Sequence, residues 1–394
     1  MTEAADDVVI VGAARTPQGK LRGQLAALTA TELGSVAIRG ALDQGVPADA
    51  VDTVILGQVL QAGAGQNPAR QAAIGAGIGW EAPATTVNKV CLSGLTAVID
   101  AARLLRCGEA EVVVAGGMES MTNAPHLLPG SRKGWAYGAV QALDVTAHDG
   151  LTDAFDHEAM GLSTDRYDAE RFHVSRTDQD AIAARSHQKA AAAWESDVFT
   201  PEIAAVAMMT RKGEVIVDRD EGIRPETTVE TLAALKAAFT PAGNITAGNA
   251  SQISDGAAAL VLTTRAHAEH RGWTALATVR AAGQVAGPDT SLHAQPARAI
   301  VAALERQGWG VGELDHIEIN EAFGAVVAHS VAALGADLDV VNPHGGGIAL
   351  GHPIGASGAR LAVHAAHIRS ASGGKSAVAL CGGGGQGEAL LLEG

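Results

Sequence analysis

The sequence predicts an α/β fold, a sheet with helices on its faces, and three observations carry that expectation. Short apolar runs ending in glycine recur, helical periodicity fills the gaps between them, and the same order of strand and helix returns late in the chain. Val8-Val9-Ile10-Val11-Gly12 opens the series as a buried strand would. Val54-Ile55-Leu56-Gly57 and Val112-Val113-Val114-Ala115-Gly116-Gly117 repeat the pattern. Helical spacing covers 31–42, 67–77 and 95–105.

The late passage echoes the early one. Val87-Asn88, a helix through Ala101-Ala102-Arg103-Leu104 and the strand from Val112 correspond to Val341-Asn342, Gly358-Ala359-Arg360-Leu361 and Ala377-Val378-Ala379-Leu380. Val51 to Leu56 likewise resembles Leu314 to Ile319. Two βα units of common ancestry account for this. Residues 121–250 differ: they hold Trp135, Tyr137, Phe155, Tyr167, Phe172 and Trp194, many charges and no regular alternation. They form an excursion that returns at Ser254-Asp255-Gly256-Ala257. The division is a first unit, 1–120 with 251–271, an insertion over 121–250 and a second unit over 272–394. Within the insertion a helix from Arg176 to Ala193 is opened by Ser175, with Asp178 three residues on.

Composition supports a large core and excludes several functions. Hydrophobic residues make up 47% of 394 and charged residues 18%, which argues against disorder. Glycine numbers 48 while aromatics reach only 3%, so small residues do much of the packing. A net charge of −15 speaks against nucleic acid as a partner. Three cysteines, 91, 107 and 381, are too dispersed for a disulfide framework and fit a reducing compartment. The stretch Met1-Thr2-Glu3-Ala4-Ala5-Asp6-Asp7 lacks a signal-peptide pattern, and no apolar run reaches a membrane span of about 18 residues. A soluble, cytoplasmic protein is expected.

Four separated blocks carry the chemistry. Cys91 lies in Asn88-Lys89-Val90-Cys91-Leu92-Ser93-Gly94-Leu95, just ahead of a helix whose N-terminus is expected to stabilise a thiolate. His352 sits in Gly351-His352-Pro353-Ile354-Gly355-Ala356-Ser357-Gly358, a rigid loop suited to a base that takes a thiol proton. Asn320-Glu321-Ala322-Phe323 ends a strand-like run, at the sheet edge where ligands bind. Cys381 opens Cys381-Gly382-Gly383-Gly384-Gly385, whose backbone N–H groups suit a developing oxyanion. No Cys-x-x-Cys, His-x-x-x-His or Glu-x-x-His grouping accompanies these blocks, so no metal is expected.

Together with Gln66-Asn67-Pro68-Ala69-Arg70-Gln71, Gly116-Gly117-Met118-Glu119-Ser120-Met121 and Asn249-Ala250-Ser251, the blocks make the whole chain resemble the thiolases, the acetyl-CoA acetyltransferase and 3-ketoacyl-CoA thiolase family. The resemblance implies a five-layered αβαβα core from two duplicated halves, an inserted loop domain that binds CoA, and a homotetramer or less often a dimer. It implies that Cys91 attacks an acyl-CoA thioester while His352 takes its proton. Cys381 then deprotonates a second acetyl-CoA, giving acetoacetyl-CoA plus CoA. By similarity Asn320 positions a water that joins His352 in one oxyanion hole, and the N–H groups of Cys91 and Gly383 form another. Arg224 and Ser251 match CoA contacts, Met160 lines the acyl pocket, and Leu151, Ala322 and Phe323 join them in substrate binding. CoA thioesters are substrates, and no tightly bound cofactor is implied.

One departure bears on specificity: short-chain members often carry His before the Met-Gly of the pocket, and here Ala159 precedes Met160-Gly161, with His157 two positions earlier. A 3-ketoacyl-CoA thiolase of β-oxidation acting on longer chains is therefore the alternative. A ketoacyl synthase pairs its cysteine with two histidines or with His and Asn, and Cys381 argues against it. A silent carrier of this fold is expected to lose Cys91 or His352. Arg132-Lys133, Arg211-Lys212 and Arg219 are read as solubilising charges that can also draw anionic CoA.

Overall fold

The computed structural model describes residues 7–394 apart from residue 212, so Lys212 and the first six residues lie outside the described residues. In chain order the first unit contributes β1 (Val8–Arg15), β2 (Gly19–Lys20), α1 (Ala30–Leu42), β3 (Thr53–Gly57), α2 (Pro68–Gly75), β4 (Ala84–Val87), α3 (Ser93–Cys107) and β5 (Val112–Ser120). The insertion holds two small hairpins, β6 (His126–Leu127) with β7 (Leu143–Asp144) and β8 (Val206–Thr210) with β9 (Gly213–Val217). Its helices are α4 (Met160–Tyr167), α5 (Arg176–Glu195) and α6 (Val229–Ala233). The chain re-enters the sheet as β10 (Ser254–Thr264), followed by α7 (Arg265–Arg271) and β11 (Ala277–Ala286). The second unit adds α8 (Gln295–Gln307), β12 (His316–Ile319), α9 (Gly324–Leu334), α10 (Gly347–Leu350), α11 (Ser357–Ser372), β13 (Lys375–Gly382) and β14 (Gln386–Glu393).

Strand order shows the duplication directly. In the first half β3 pairs in parallel with β4 and β5, then β5, β10 and β1 run antiparallel. In the second, β12 pairs in parallel with a bridge at Val341 and with β13, then β13, β14 and β11 run antiparallel. The halves join where Val9 and Ile10 pair with Thr278 and Ala277. The sheet is thus continuous across a two-residue seam.

Side-chain alternation generates five layers. Val113 and Ala115 of β5, with Leu390 and Leu392 of β14, face inward onto α3 and α11, which form the middle layer. Val112 and Val114 face outward onto α1 and α2. Ala389 and Leu391 face outward onto α8 and α9. Helix ends follow from sequence: Thr29 and Glu32 form a capping box for α1, Ser175 caps α5 by accepting from Asp178 N, and Gly108 ends α3 at φ 69°.

The two middle helices touch at glycines. A Cβ on Gly358 falls 2.5 Å from Leu95 N, and one on Gly94 falls 2.9 Å from Ala359 N. Backbone cannot yield as a flexible side chain can, so Gly358→Ala is expected to destabilise the fold by about 1–3 kcal/mol, read as a lowered denaturation midpoint. This crossing matters for function, because both helices begin beside the chemistry-bearing blocks.

Candidate active site

Cys91 is presented by a strained turn. After β4, Ser93 Oγ accepts from Lys89 N at 2.8 Å and donates to Val90 O at 2.6 Å, while Asn88 Oδ1 accepts from Val90 N at 3.0 Å. Val90 is held at φ 51°, a left-handed conformation that a β-branched residue rarely adopts. Lys89 Nζ reaches buried Glu388 at 2.5 Å, and Glu388 also accepts from Thr96 Oγ1 at 2.7 Å, tying the turn to β14. Strain of ~1–3 kcal/mol is offset by these bonds, and the thiol stands at the head of α3. The expectation of a stabilised thiolate needs correction. Burial and the nearby Glu119 carboxylate push the Cys91 thiol up to about 11, although the N–H groups of Gly383 and Cys91 itself oppose the shift.

His352 occupies the loop between α10 and α11, where Gly351 takes φ 115°. Its Nδ1 lies 2.6 Å from Ser357 Oγ, and that hydroxyl donates its one proton to Pro353 O at 3.0 Å. Ser357 therefore accepts from His352 Nδ1–H, leaving the Nε2 lone pair free to take a proton. Asn320 Nδ2 lies 3.5 and 3.3 Å from the two ring nitrogens. Both separations are long for a hydrogen bond to a ring nitrogen. Burial, then Arg360, lowers the imidazole to about 4, so it rests neutral.

Beneath this loop Glu119 accepts from Val59 N, Leu60 N and Gly355 N at 3.0, 3.1 and 2.9 Å. Burial outweighs those donors and raises its carboxyl to about 7. One carboxylate thus clamps two loops that flank the cavity. Glu119→Gln turns an amide N–H onto those donors. The expected loss is about 1–3 kcal/mol of stability, checked by thermal denaturation alongside activity.

Cys381 is the penultimate residue of β13, and the tight β13–β14 turn passes through Gly384 at φ 74° and Gly385 at φ 66°. The thiol is buried, and that burial holds its pKa far above the usual thiol range. Gly383 N–H points at the Cys91 sulfur.

A recess of about 50 Å³ is lined by Cys91, His352, Cys381 and Gly383 with Leu151, Met160, Ser251, Ala322 and Phe323. It shares Leu151, Met160, Ser251, Phe323, His352 and Ile354 with an adjoining cleft of about 410 Å³ that is chiefly apolar. Nine of the residues expected from sequence therefore border one space. Asn320 is fully buried behind His352. Arg224 lies outside the lining, its Nη2 3.1 Å from His187 Nε2.

Sequence reasoning missed Ser357, Glu119 and Val90. Ser357 and Glu119 stand within quoted blocks, so a polar side chain inside a glycine-rich motif was the available signal. Val90 had none, because positive φ in a valine is not written in residue type. Glu321 was placed at the sheet edge as a possible ligand contact in the same block. It is buried instead, accepting from Ser186 Oγ at 2.5 Å, Asn342 Nδ2 at 2.9 Å and Ile348 N at 3.0 Å. That arrangement lets α5 of the insertion brace the segment leading to His352.

Comparison with known proteins agrees with this geometry. Residues 8–266 match the thiolase N-terminal domain family and residues 273–394 the thiolase C-terminal domain family. A probable acetyl-CoA acetyltransferase of Mycolicibacterium smegmatis is 54% identical over 389 residues, covering 98% of this chain and 100% of that protein. Acetyl-CoA acetyltransferases of Pseudomonas aeruginosa and Cupriavidus necator are 48% and 45% identical, each over 98% of this chain and 99% of the relative. On these matches across both halves, the chain belongs to the thiolase family.

Proposed function

We propose that this thiolase is an acetyl-CoA C-acetyltransferase that interconverts two acetyl-CoA with acetoacetyl-CoA and CoA through an acyl-Cys91 intermediate. The observation that carries it is the small recess bordered by two thiols, one imidazole and the Gly383 backbone. Cys91 and His352 rest neutral, so proton transfer to Nε2 accompanies sulfur attack on the thioester. The carbonyl oxygen collects charge beside the N–H groups of Cys91 and Gly383, each such donor being worth about 3 kcal/mol in the transition state. CoA leaves with the proton held by His352. Thioester exchange is nearly balanced, so sulfur holds the acetyl group without stranding it. Cys381 removes a proton from the second acetyl-CoA, and the enolate oxygen is met by His352 and a water positioned by Asn320.

The recess of about 50 Å³ has room for only a few water-sized groups, which suits a two-carbon acyl group. Ser251, Met160, Leu151 and Phe323 line the approach, where the pantetheine arm would lie. By the family resemblance Arg224 is assigned to the adenine end of CoA, and the cations of the insertion would draw the anionic substrate toward the cleft. The test compares thiolysis of acetoacetyl-CoA with that of a longer 3-ketoacyl-CoA. Faster turnover of the short substrate is expected; preference for the longer one moves the protein to the β-oxidation thiolases, and turnover of neither refutes the reaction.

Two further outcomes follow from the same site. Acylation is expected to be flat from about pH 6 to about pH 9 and to fail as pH falls toward 4, where His352 gains a proton and ceases to be a base. Rapid-quench acetylation across that range checks it. Ser357→Ala is expected to slow acylation about tenfold, or about 1.4 kcal/mol, by freeing the ring to the wrong tautomer.

The reading also places the enzyme in the cytoplasm as a homotetramer taking part in lipid metabolism. Three free cysteines fit the reducing compartment, and no helix among the described residues is long and apolar enough to cross a membrane. Trp135, Tyr137 and Val140 stand open to solvent on the inserted segment, as a surface awaiting another subunit does. Sedimentation equilibrium decides between four chains and two.

A further inference from the structure

We propose that His316, His344 and His364 form a site for one divalent transition-metal ion of the zinc class, separate from the catalytic cleft. The three side chains come from the start of β12, the segment before α10 and the middle of α11. Their ligand nitrogens all lie within 4.8 Å of one another. His344 Nδ1 and His364 Nε2 are 3.0 Å apart. Ligands about 2.0–2.1 Å from a tetrahedral ion stand roughly 3.3 Å from each other. That pair is already at coordinating distance, and His316 needs to close by roughly 1–1.5 Å to meet the same separation.

The outer contacts are those a metal-binding imidazole requires. His364 Nδ1 lies 2.8 Å from Glu202 Oε2, and Glu202 is fixed by Arg15 Nε at 2.5 Å. The carboxylate accepts Nδ1–H and so directs the Nε2 lone pair of His364 toward His344. His316 Nδ1 lies 3.2 Å from Ser376 Oγ, a partner that leaves Nε2 for the ion. Glu318 Oε1 lies 3.1 Å from that Nε2 and Glu318 also pairs with Arg360, so His316 gives up this contact on ligation and water takes the fourth position. On binding, the proton that His344 Nδ1 shares with His364 Nε2 moves to His344 Nε2, so His344 ligates as a neutral imidazole through Nδ1 with no net proton released.

His316 and His364 are buried and His344 half-buried, so the ion sits in the interior. None of the three lines the space around Cys91. The expectation that no metal is bound came from local spacing, which cannot reveal ligands gathered from three distant segments. The role is structural. The ion would tie β12, which runs into Asn320, to the segment and helix that flank His352.

The intact protein, purified without chelator, is analysed for metal, then stripped with EDTA and titrated with Zn²⁺ and with Co²⁺. One equivalent of zinc per chain, a raised unfolding temperature and cobalt d–d absorption without a thiolate charge-transfer band are expected. His344→Asn should abolish all three while the stripped variant unfolds near the stripped parent. Should that variant be misfolded, His364→Gln serves the same purpose. No zinc uptake, uptake undiminished in a folded variant, or a thiolate band pointing to Cys91 and Cys381 overturns the site.

Discussion

Replacing Cys91 by serine is expected to abolish acyl-enzyme formation, with turnover reduced by at least about 10³-fold. The surroundings of Cys91 leave a hydroxyl no way to substitute. Burial already pushes the thiol up to about 11, and His352, lowered to about 4, is a weak base. The pair works only because sulfur is a strong nucleophile that begins to bond as its proton departs. An alcohol is far less acidic than a thiol and gains nothing from the N–H groups of Gly383 until charge has moved. Serine also makes an ester, which lies well below the thioester and would not return its acyl group to CoA. Fold should be unaffected, since a hydroxyl is no larger than the thiol it replaces and the turn is held by Ser93, Asn88 and Lys89. The measurement is intact-protein and peptide mass spectrometry after exposure to acetyl-CoA. Acetyl found on another residue of the parent, or persisting on the variant, removes Cys91 from the reaction.

How far the sequence could be read depended on how local each signal was. Strands β1, β3 and β5 and helices α1, α2 and α3 were legible because apolar runs and helical spacing are properties of adjacent residues. The structure extends β1 to Arg15 and β5 to Ser120, past the glycines that were taken as ends. A glycine inside a strand allows close approach as well as a stop, and Gly117 uses it against the Gly355 carbonyl. The duplication was legible because Val341-Asn342 echoes Val87-Asn88, although Val341 keeps only a single bridge where β4 forms a strand. The catalytic blocks stood out as short motifs, but their wiring did not. Glu119 and Gly355 are distant in sequence, as are Lys89 and Glu388, and pairing across such separations is decided by the tertiary fold. The thiolate expectation went wrong for an energetic reason: the helix terminus favours charge by about 1 kcal/mol or less, while removing the thiol from water costs more.

Replacing Cys381 by alanine is expected to separate the two half-reactions. Acetylation of Cys91 should persist within about threefold of the parent, while acetoacetyl-CoA synthesis falls by at least about 10³-fold. Cys381 lies across the recess, packed among Ile245, Leu292, Ala322, Phe323 and Val326. Removing one sulfur from this apolar wall leaves a small gap, and the β13–β14 turn that aims Gly383 N–H is set by Gly384 and Gly385 instead. Acylation therefore retains its nucleophile, base and oxyanion donor. Condensation does not, because the recess then keeps His352 alone, which is engaged at the enolate oxygen, and no second group takes the α-proton. The resting thiol is protonated, burial holding its pKa far above the usual range, so it must first yield its proton to leave a thiolate, which at such a pKa is a strong base toward the α-carbon. Acetyl-enzyme formation and acetoacetyl-CoA production are measured on the same preparation. Synthesis at the parent rate would show that another base serves the second step. Loss of acylation as well would show that the two sulfurs act as one unit.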